Sequence, residues 1–427
     1  MVQVNGVSRK ADPLALEPAI AIDPCHGRSP HRLDWILAFV GALILSDAFD
    51  VILYVLFGKQ ARLVRGVPIA RVPLIAVAAV TGYLLARDPR DATAHLRGAW
   101  WLWPAVGLAF VSALWSERPA VTLVWATALF TTSAFGVALA VCFSALAQAL
   151  LVVAVTTAIA LASVVSVAIW PQQAVRDGKW RGIYAWNSFL GRTQALGVGA
   201  ALATILSQRY RVIAAGAVCV CAILLLATES RASLLAAAVT VFATLLLLAA
   251  RRWRRHATTI LMAGTAAALS VLTLLLTTRS GVALLERSET FTDRSLIWTA
   301  VATTAMETPW LGHGYGAFWT SAAGEAAWVR STLRDRMNNA HNGALDLFAE
   351  LGVAGIALVF VPLAMVAVAA LRHALAPRPP ACLWPAVYLV FFVASNVADS
   401  VLLRHKLFWA LYVAAACHVA TAARRRH

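Results

Sequence analysis

Long apolar runs separated by short polar breaks set the pattern of this chain. A helix needs about 20 mostly apolar residues to cross a membrane. Runs of that kind fall near 33–57, 67–86, 98–115, 119–141, 148–170, 190–207, 211–228, 232–250, 257–278, 343–371, 381–398 and 406–423. The pattern predicts an all-α polytopic membrane protein with about 12 transmembrane helices. Breaks such as Ser116-Glu117-Arg118-Pro119 read as turns, with the proline opening the next helix. Asp47 and Asp50 interrupt the first run.

One stretch departs from the pattern. Residues 279–342 form a long loop between spans 9 and 10, and a loop so long without a span of its own is usually functional. Within it, Leu296 to Glu307 reads as a helix with Ile297, Ala300, Val301 and Thr304 on one face. Pro309 to Gly316 follows as a proline-glycine turn region. The chain thus divides into a tail at 1–32, a transmembrane bundle at 33–278, the loop at 279–342 and C-terminal transmembrane helices at 343–427.

Composition agrees with the pattern. Of 427 residues, 61% are hydrophobic and only 13% charged, too apolar for a soluble fold. The formal net charge of +16 would suggest nucleic acid in a soluble protein. Here the basic residues cluster at span ends, where they orient helices and meet anionic membrane lipids, so nucleic acid is not expected as a partner. Arg251 to Arg255 and Arg424 to Arg426 join the tail's Arg9, Lys10, Arg28 and Arg32 on the cytoplasmic side if both termini are inside. Lys59, Arg62 and Arg65 then lie outside, against the rule. The same count puts 171–189, 229–231, 279–342 and 399–405 on the opposite face, together with Arg192, Arg231, Arg294, His341 and Arg404. The six cysteines show neither disulfide nor zinc spacing.

Two constellations carry chemistry. His341, at the mouth of a span, can take a proton near neutral pH. Asn342, Asp346 and Glu350 follow at spacings of four and share one helix face. The plainer reading makes His341 an interfacial residue and Asn342 a helix cap. Arg192, Arg231 and Arg294 can fork onto phosphate oxygens. Alternatively each pairs with a nearby carboxylate such as Glu229 or Asp293, or reaches to lipid head groups. Gly312-His313-Gly314-Tyr315-Gly316 lacks the flanking elements of a nucleotide loop and reads as a tight turn with a structural His313. No metal or cofactor motif is present in the sequence, and none is expected.

The order of several short pieces resembles the O-antigen ligase and polymerase superfamily of bacterial envelope glycosyltransferases, the exopolysaccharide-polymerase branch most of all. They are Asn187 to Arg192, Glu229 to Leu235, Asp293 to Trp298, Pro309 to Gly316 and His341-Asn342 with Gly352. Ser395 to Ser400, running on to Phe408-Trp409, is similar to the family's closing segment, with Asp399 where a glutamate is common. The resemblance implies a fold of the GT-C type in the bacterial inner membrane, with the long loop and active site facing the periplasm. It implies metal-independent transfer of a glycan from an undecaprenyl-diphosphate-linked donor to a hydroxyl of a glycan or lipid A-core acceptor. Carried onto this chain, His341 becomes the general base and Arg231 and Arg294 the diphosphate clamp. Arg192, Asn342, Asp346 and Glu350 become substrate-binding residues, with Asp346 or Glu350 orienting the histidine. Ligase and polymerase differ only in acceptor and stay open. A transporter or flippase of lipid-linked oligosaccharide, or a non-enzymatic assembly subunit, are the alternatives; no internal repeat of the transporter kind is evident.

Overall fold

The computed structural model describes residues 30–48, 72–205, 207–277, 289–320, 339–376 and 383–424. The tail, the loop carrying Lys59, Arg62 and Arg65, and the side chain of Arg294 lie outside the described residues. The fold is a helix bundle: α1 (Arg32–Leu45), α2 (Val72–Arg87), α3 (Pro89–Gly98), α4 (Trp103–Val111), α5 (Pro119–Cys142), α6 (Ala145–Ile169), α7 (Asn187–Ile205), α8 (Arg211–Ala227), α9 (Arg231–Arg252), α10 (Ala257–Thr277), α11 (Glu289–Ala305), α12 (Gly343–Leu375), α13 (Trp384–Ala398) and α14 (Leu407–Arg424). A small hairpin pairs Val175 with Trp180 and Arg176 with Lys179.

Helix starts follow local chemistry. Asp88 caps α3 by accepting from the Asp91 nitrogen at 3.1 Å, and Pro89 opens it. Ser144 caps α6 in the same way, and Pro119 opens α5. Buried hydroxyls in the spans, such as Thr132, Thr156 and Thr240, donate to carbonyls one turn back. That is how a polar side chain stays satisfied where no water reaches.

Helix occupies part of each of the twelve apolar runs. Among the described residues, four helices are long and apolar enough to cross a membrane by themselves: α5, α6, α9 and α12. Several shorter apolar helices pack around them, so the protein is a polytopic membrane protein. Three expectations change in detail. Helix α1, in the first run, ends at Leu45, where Ser46 caps it and Asp47 takes a left-handed φ of 56°; residues 49–57 of that run lie outside the described residues. The helix in the long loop starts earlier, at Glu289, and ends at Ala305. The run 343–371 is two helices, because Gly352 breaks α12 with φ 60° and ψ −160°.

One continuous core runs from Ala38 to Val419, so the stretches before and after the long loop are parts of a single bundle. Helix α7 lies at its centre, packed on α6, α8, α9 and α13, while α14 packs on α5. A second, small core holds Ile297, Val301, Ala305, Phe318, Trp319, Ala340 and Ala349. It docks the long loop onto the start of α12. At one end of the bundle Arg87 pairs with Asp34 at 2.9 Å, and Arg251 and Arg254 donate to the Ala374 and Leu375 carbonyls. The turns at 228–231, 306–320, 339–343 and 399–406 gather at the other end.

Candidate active site

The break in α12 builds the floor of the site. Two turns of helix, 343–351, precede Gly352, and the main run, 353–375, follows it. A break strands backbone groups that an uninterrupted helix would pair internally. The turn at 309–314 supplies their partners. The His313 and Gly314 nitrogens donate to the Ala349 and Glu350 carbonyls at 3.0 and 2.9 Å. The Val353 and Ala354 nitrogens donate to the Pro309 and Trp310 carbonyls at 2.8 and 3.1 Å. The fit leaves no room for a side chain: a Cβ on Gly312 would lie 2.5 Å from the Glu350 carbonyl carbon, and one on Gly352 would lie 2.5 Å from the Leu311 nitrogen. The His313 ring packs edge-on to Phe318, and its Nδ1 lies 3.1 Å from the Ala349 carbonyl oxygen, a structural placement.

His341 sits at the entrance to the first half of α12. Its φ of 52° is left-handed, and its nitrogen donates to the Asn339 side chain at 3.0 Å. Asn342 is the helix cap, accepting from the Ala344 and Leu345 nitrogens, each at 3.1 Å. Its Oδ1 is occupied in capping the helix. Asp346 accepts from the Ala340 nitrogen at 2.9 Å and from Trp319 Nε1 at 2.7 Å. Trp298 Nε1 donates to the Ala340 carbonyl at 2.9 Å. The peptide before His341 is therefore pinned from both sides, by Asp346 and by Trp298.

Asp346 and Glu350 converge on Arg404. Arg404 contacts Glu350 at 2.9 Å and Asp346 at 3.4 Å, all three buried. Burial opposes the Arg404 charge, but the Glu350 and Asp346 carboxylates outweigh it and raise its pKa above the ordinary arginine value. The Tyr315 hydroxyl donates to the Leu403 carbonyl and locks the same segment from the other side. Both carboxylates meet Arg404 within the protein, while Asp346 Oδ2, 3.4 Å from Arg404, has no hydrogen-bond partner among the described residues. An ion triad so deep positions the 399–406 turn against the half-helix.

Arg192 is likewise engaged. It is 7% exposed, forms an ion pair with Asp399, and lies over the rings of Phe189 and Phe408 at 5.2 and 4.9 Å. Burial alone would raise the Asp399 pKa. Arg192, the Ser400 nitrogen and the charge of His341 together lower it below the ordinary aspartate value. Asp399 therefore interacts electrostatically with both Arg192 and His341. The neighbouring His405 is held neutral: burial, Lys406 and Arg404 lower its pKa to about 4 against a partial opposing pull from Asp47.

Arg231 differs from both other arginines. It is exposed, at the first residue of α9, and makes no ion pair or hydrogen bond among the described residues. It does not use Glu229, whose φ of 50° turns the chain into the helix. Asn187 donates to the Thr228 carbonyl at 2.8 Å and Ser233 to the Ser188 carbonyl at 3.4 Å. The Arg231 turn is thus strapped to the start of α7, two turns of helix from which Arg192 reaches Asp399. Arg294 lies one helical turn before Trp298 on α11, and Trp298 holds the Ala340 carbonyl next to His341.

Sequence reading placed Arg192, Arg231, His341 and Arg404 at one end, and the structure gathers them there. It did not find their partners. Asp399 and Arg192 are 207 positions apart, as Lys406 and Asp47 are 359 apart. The one available signal was the pair of carboxylates in an otherwise apolar run at Asp47 and Asp50.

Residues 215–360 match the family model described as O-antigen ligase. The match covers about a third of the chain and spans Arg231, the long loop, His341 and the break at Gly352. It ends before Asp399 and Arg404 and begins after Arg192. No curated protein matches the chain.

Proposed function

We propose, from the match of residues 215–360 to the O-antigen ligase family model, that the chain is a metal-independent membrane glycosyltransferase of the O-antigen ligase-like superfamily. It moves a glycan from a lipid diphosphate, of the undecaprenyl type, to an acceptor hydroxyl. The acceptor is a growing polysaccharide or a lipid-borne core glycan. One observation carries the reading: Arg231, exposed and unpaired among the described residues, sits at the same bundle end as His341, whose charge acts on Asp399. A cation at a helix N-terminus works against the helix dipole by about 0.3–1 kcal/mol. That placement makes sense if an anion arrives, because the guanidinium and the helix end then act on it together.

The chemistry follows. His341 accepts the proton of the acceptor hydroxyl as its oxygen attacks the anomeric carbon. The bond from that carbon to the diphosphate oxygen breaks, and the diphosphate leaves with the lipid. Arg231 and Arg294 stabilise the charge that develops on it. Asp399 supports the protonated histidine electrostatically, and Arg192 holds Asp399 in place. The proton on His341 returns to solvent or to the departing diphosphate. Purified protein given a labelled lipid-diphosphate glycan tests the assignment. Arg231→Lys keeps the charge and loses the fork, so transfer should fall strongly at unchanged protein yield. Full transfer by both Arg231→Lys and Arg294→Lys would remove the clamp from the mechanism.

A further inference from the structure

The chain just before α7 folds into a small platform at the end of the bundle that holds the site. Asp177 and Gly178, with φ of 51° and 76°, form the two-residue turn that lets Arg176 pair with Lys179 and Val175 with Trp180. The Arg181 and Gly182 nitrogens donate to the Ala174 carbonyl at 2.9 and 3.0 Å, and the Arg181 guanidinium donates to the Gln173 and Ala185 carbonyls. The hairpin is therefore fixed at its base. From it the Arg176 guanidinium lies over the Trp186 ring at 5.7 Å. Trp186 is still 55% exposed, and its indole nitrogen has no hydrogen-bond partner among the described residues.

Two observations tie this platform to the site. Helix α7 is buried at every position from Leu190 to Ala201, so Trp186 stands where a central helix emerges rather than on a lipid-facing one. The Asn187 side chain, next to Trp186, donates to the Thr228 carbonyl at 2.8 Å, three residues from Arg231. An indole open to water is an apolar plate with a polar edge. A pyranose ring is its complement, with an apolar C–H face and a rim of hydroxyls. The exposed Arg176 and Lys179 face one carboxylate, Asp177, so the hairpin suits a neutral or acidic sugar and disfavours a basic one. We propose that Trp186 and the hairpin form a donor-glycan subsite. A pyranose residue of the lipid-linked glycan stacks on the indole and bonds through its hydroxyls to Arg176, while the diphosphate of the same donor lies at Arg231. The inference rests on the glycosyltransferase reading and adds to it the place where the donor's sugar is recognised. The hairpin lies outside the stretch matched by the family, and Arg231 lies inside it.

The test compares a donor lipid with and without its sugar. The full chain, purified in detergent, is titrated with undecaprenyl diphosphate bearing no sugar. It is titrated separately with the lipid-diphosphate glycan extracted from the producing cell. The wild type should bind the glycan-bearing lipid about threefold to tenfold more tightly, the worth of one aromatic contact. Trp186→Ala, at an exposed position that leaves the core intact, should lose that preference and bind the sugar-free lipid as before. Trp186→Tyr keeps a flat ring and should keep most of the preference, whereas Arg231→Lys should weaken both lipids alike. A wild-type preference in Trp186→Ala would overturn the proposal. So would equal weakening of both lipids by that variant, which would make Trp186 an anchor for lipid head groups. So would a wild-type protein that binds the two lipids equally. A wild-type protein that binds neither would instead sink the glycosyltransferase reading, and this subsite with it.

Discussion

At the scale of single residues, the site's described cations divide into those already neutralised and Arg231, which is not. Arg192 and Arg404 serve Asp399 and the Asp346–Glu350 pair, while Arg231 is exposed and has no partner among the described residues. His341 interacts electrostatically with the ionised Asp399, and its backbone is fixed by Asn339 and by the pinned peptide before it. His341→Ala should therefore lower turnover by about 100-fold to 10,000-fold, the usual contribution of a placed base. Donor binding should survive in that variant, as measured by equilibrium titration with labelled lipid-diphosphate glycan. Normal turnover per folded molecule would remove His341 from the chemistry.

A second residue-scale prediction concerns acid stability. His405 has a folded-state pKa of about 4, below the ordinary value of 6.5. Its neutral form is favoured by the fold, so its contribution is complete above pH 6.5 and is lost as pH falls towards 4. Asp399, lowered below the ordinary aspartate value, acts in the same direction at still lower pH. The melting temperature of the wild type should drop between pH 6.5 and 4, and His405→Gln should flatten that slope. An equal slope in the variant would show that His405 is not the titrating group.

At the scale of elements, the pairing of the 309–314 turn with the broken helix explains why the sequence was readable in one place and not in another. The helical face of Ile297, Val301 and Thr304 was legible because apolar spacing alone marks it, and all three residues are buried. The break at Gly352 was not legible. The window 343–371 stays apolar across it, and the groups that satisfy it come from Pro309, Trp310, His313 and Gly314. Asp346 and Glu350 were read correctly as sharing a face, but spacing on one helix does not say which arginine that face will meet. Gly352→Ala should cost roughly 1–2 kcal/mol for the left-handed backbone and about 1–3 kcal/mol for overpacking against the 310–311 peptide. Gly107→Ala, where a Cβ meets nothing within 4 Å, serves as the control. Thermal melting of the two variants in one detergent would measure the difference, and equal melting temperatures would deny the break any structural importance.

At the scale of the whole molecule, the runs of apolar residues made the bundle legible, because a span of about 20 residues is a length that chemistry sets. Which helices touch was not legible. The last helix, α14, packs on α5, and the Trp409 indole donates to Ser133 at 2.9 Å across 276 positions. The two ends of the bundle make a prediction about sidedness. Glu307 belongs to the end that holds the site, and Arg255 to the end where Arg251 and Arg254 cover the α12 carbonyls. With native cysteines replaced, Glu307→Cys should react with a membrane-impermeant thiol reagent from outside the cell and Arg255→Cys should not. The reverse labelling would turn the molecule over and place the site on the cytoplasmic face.

The inserted turn also bears on how the chain is made. A helix broken inside a membrane exposes amides that lipid cannot satisfy, at several kcal/mol each. The groups that rescue it, at 309–314, leave the ribosome before Gly352 does. At about 5–20 residues per second, the break follows its partner by roughly 2–8 s. The turn is thus waiting when the two halves of α12 arrive, and the break never has to exist unpaired. Reversing that order, by a circular permutation that moves 309–314 behind α12, would leave newly made chains with open amides and send them to degradation.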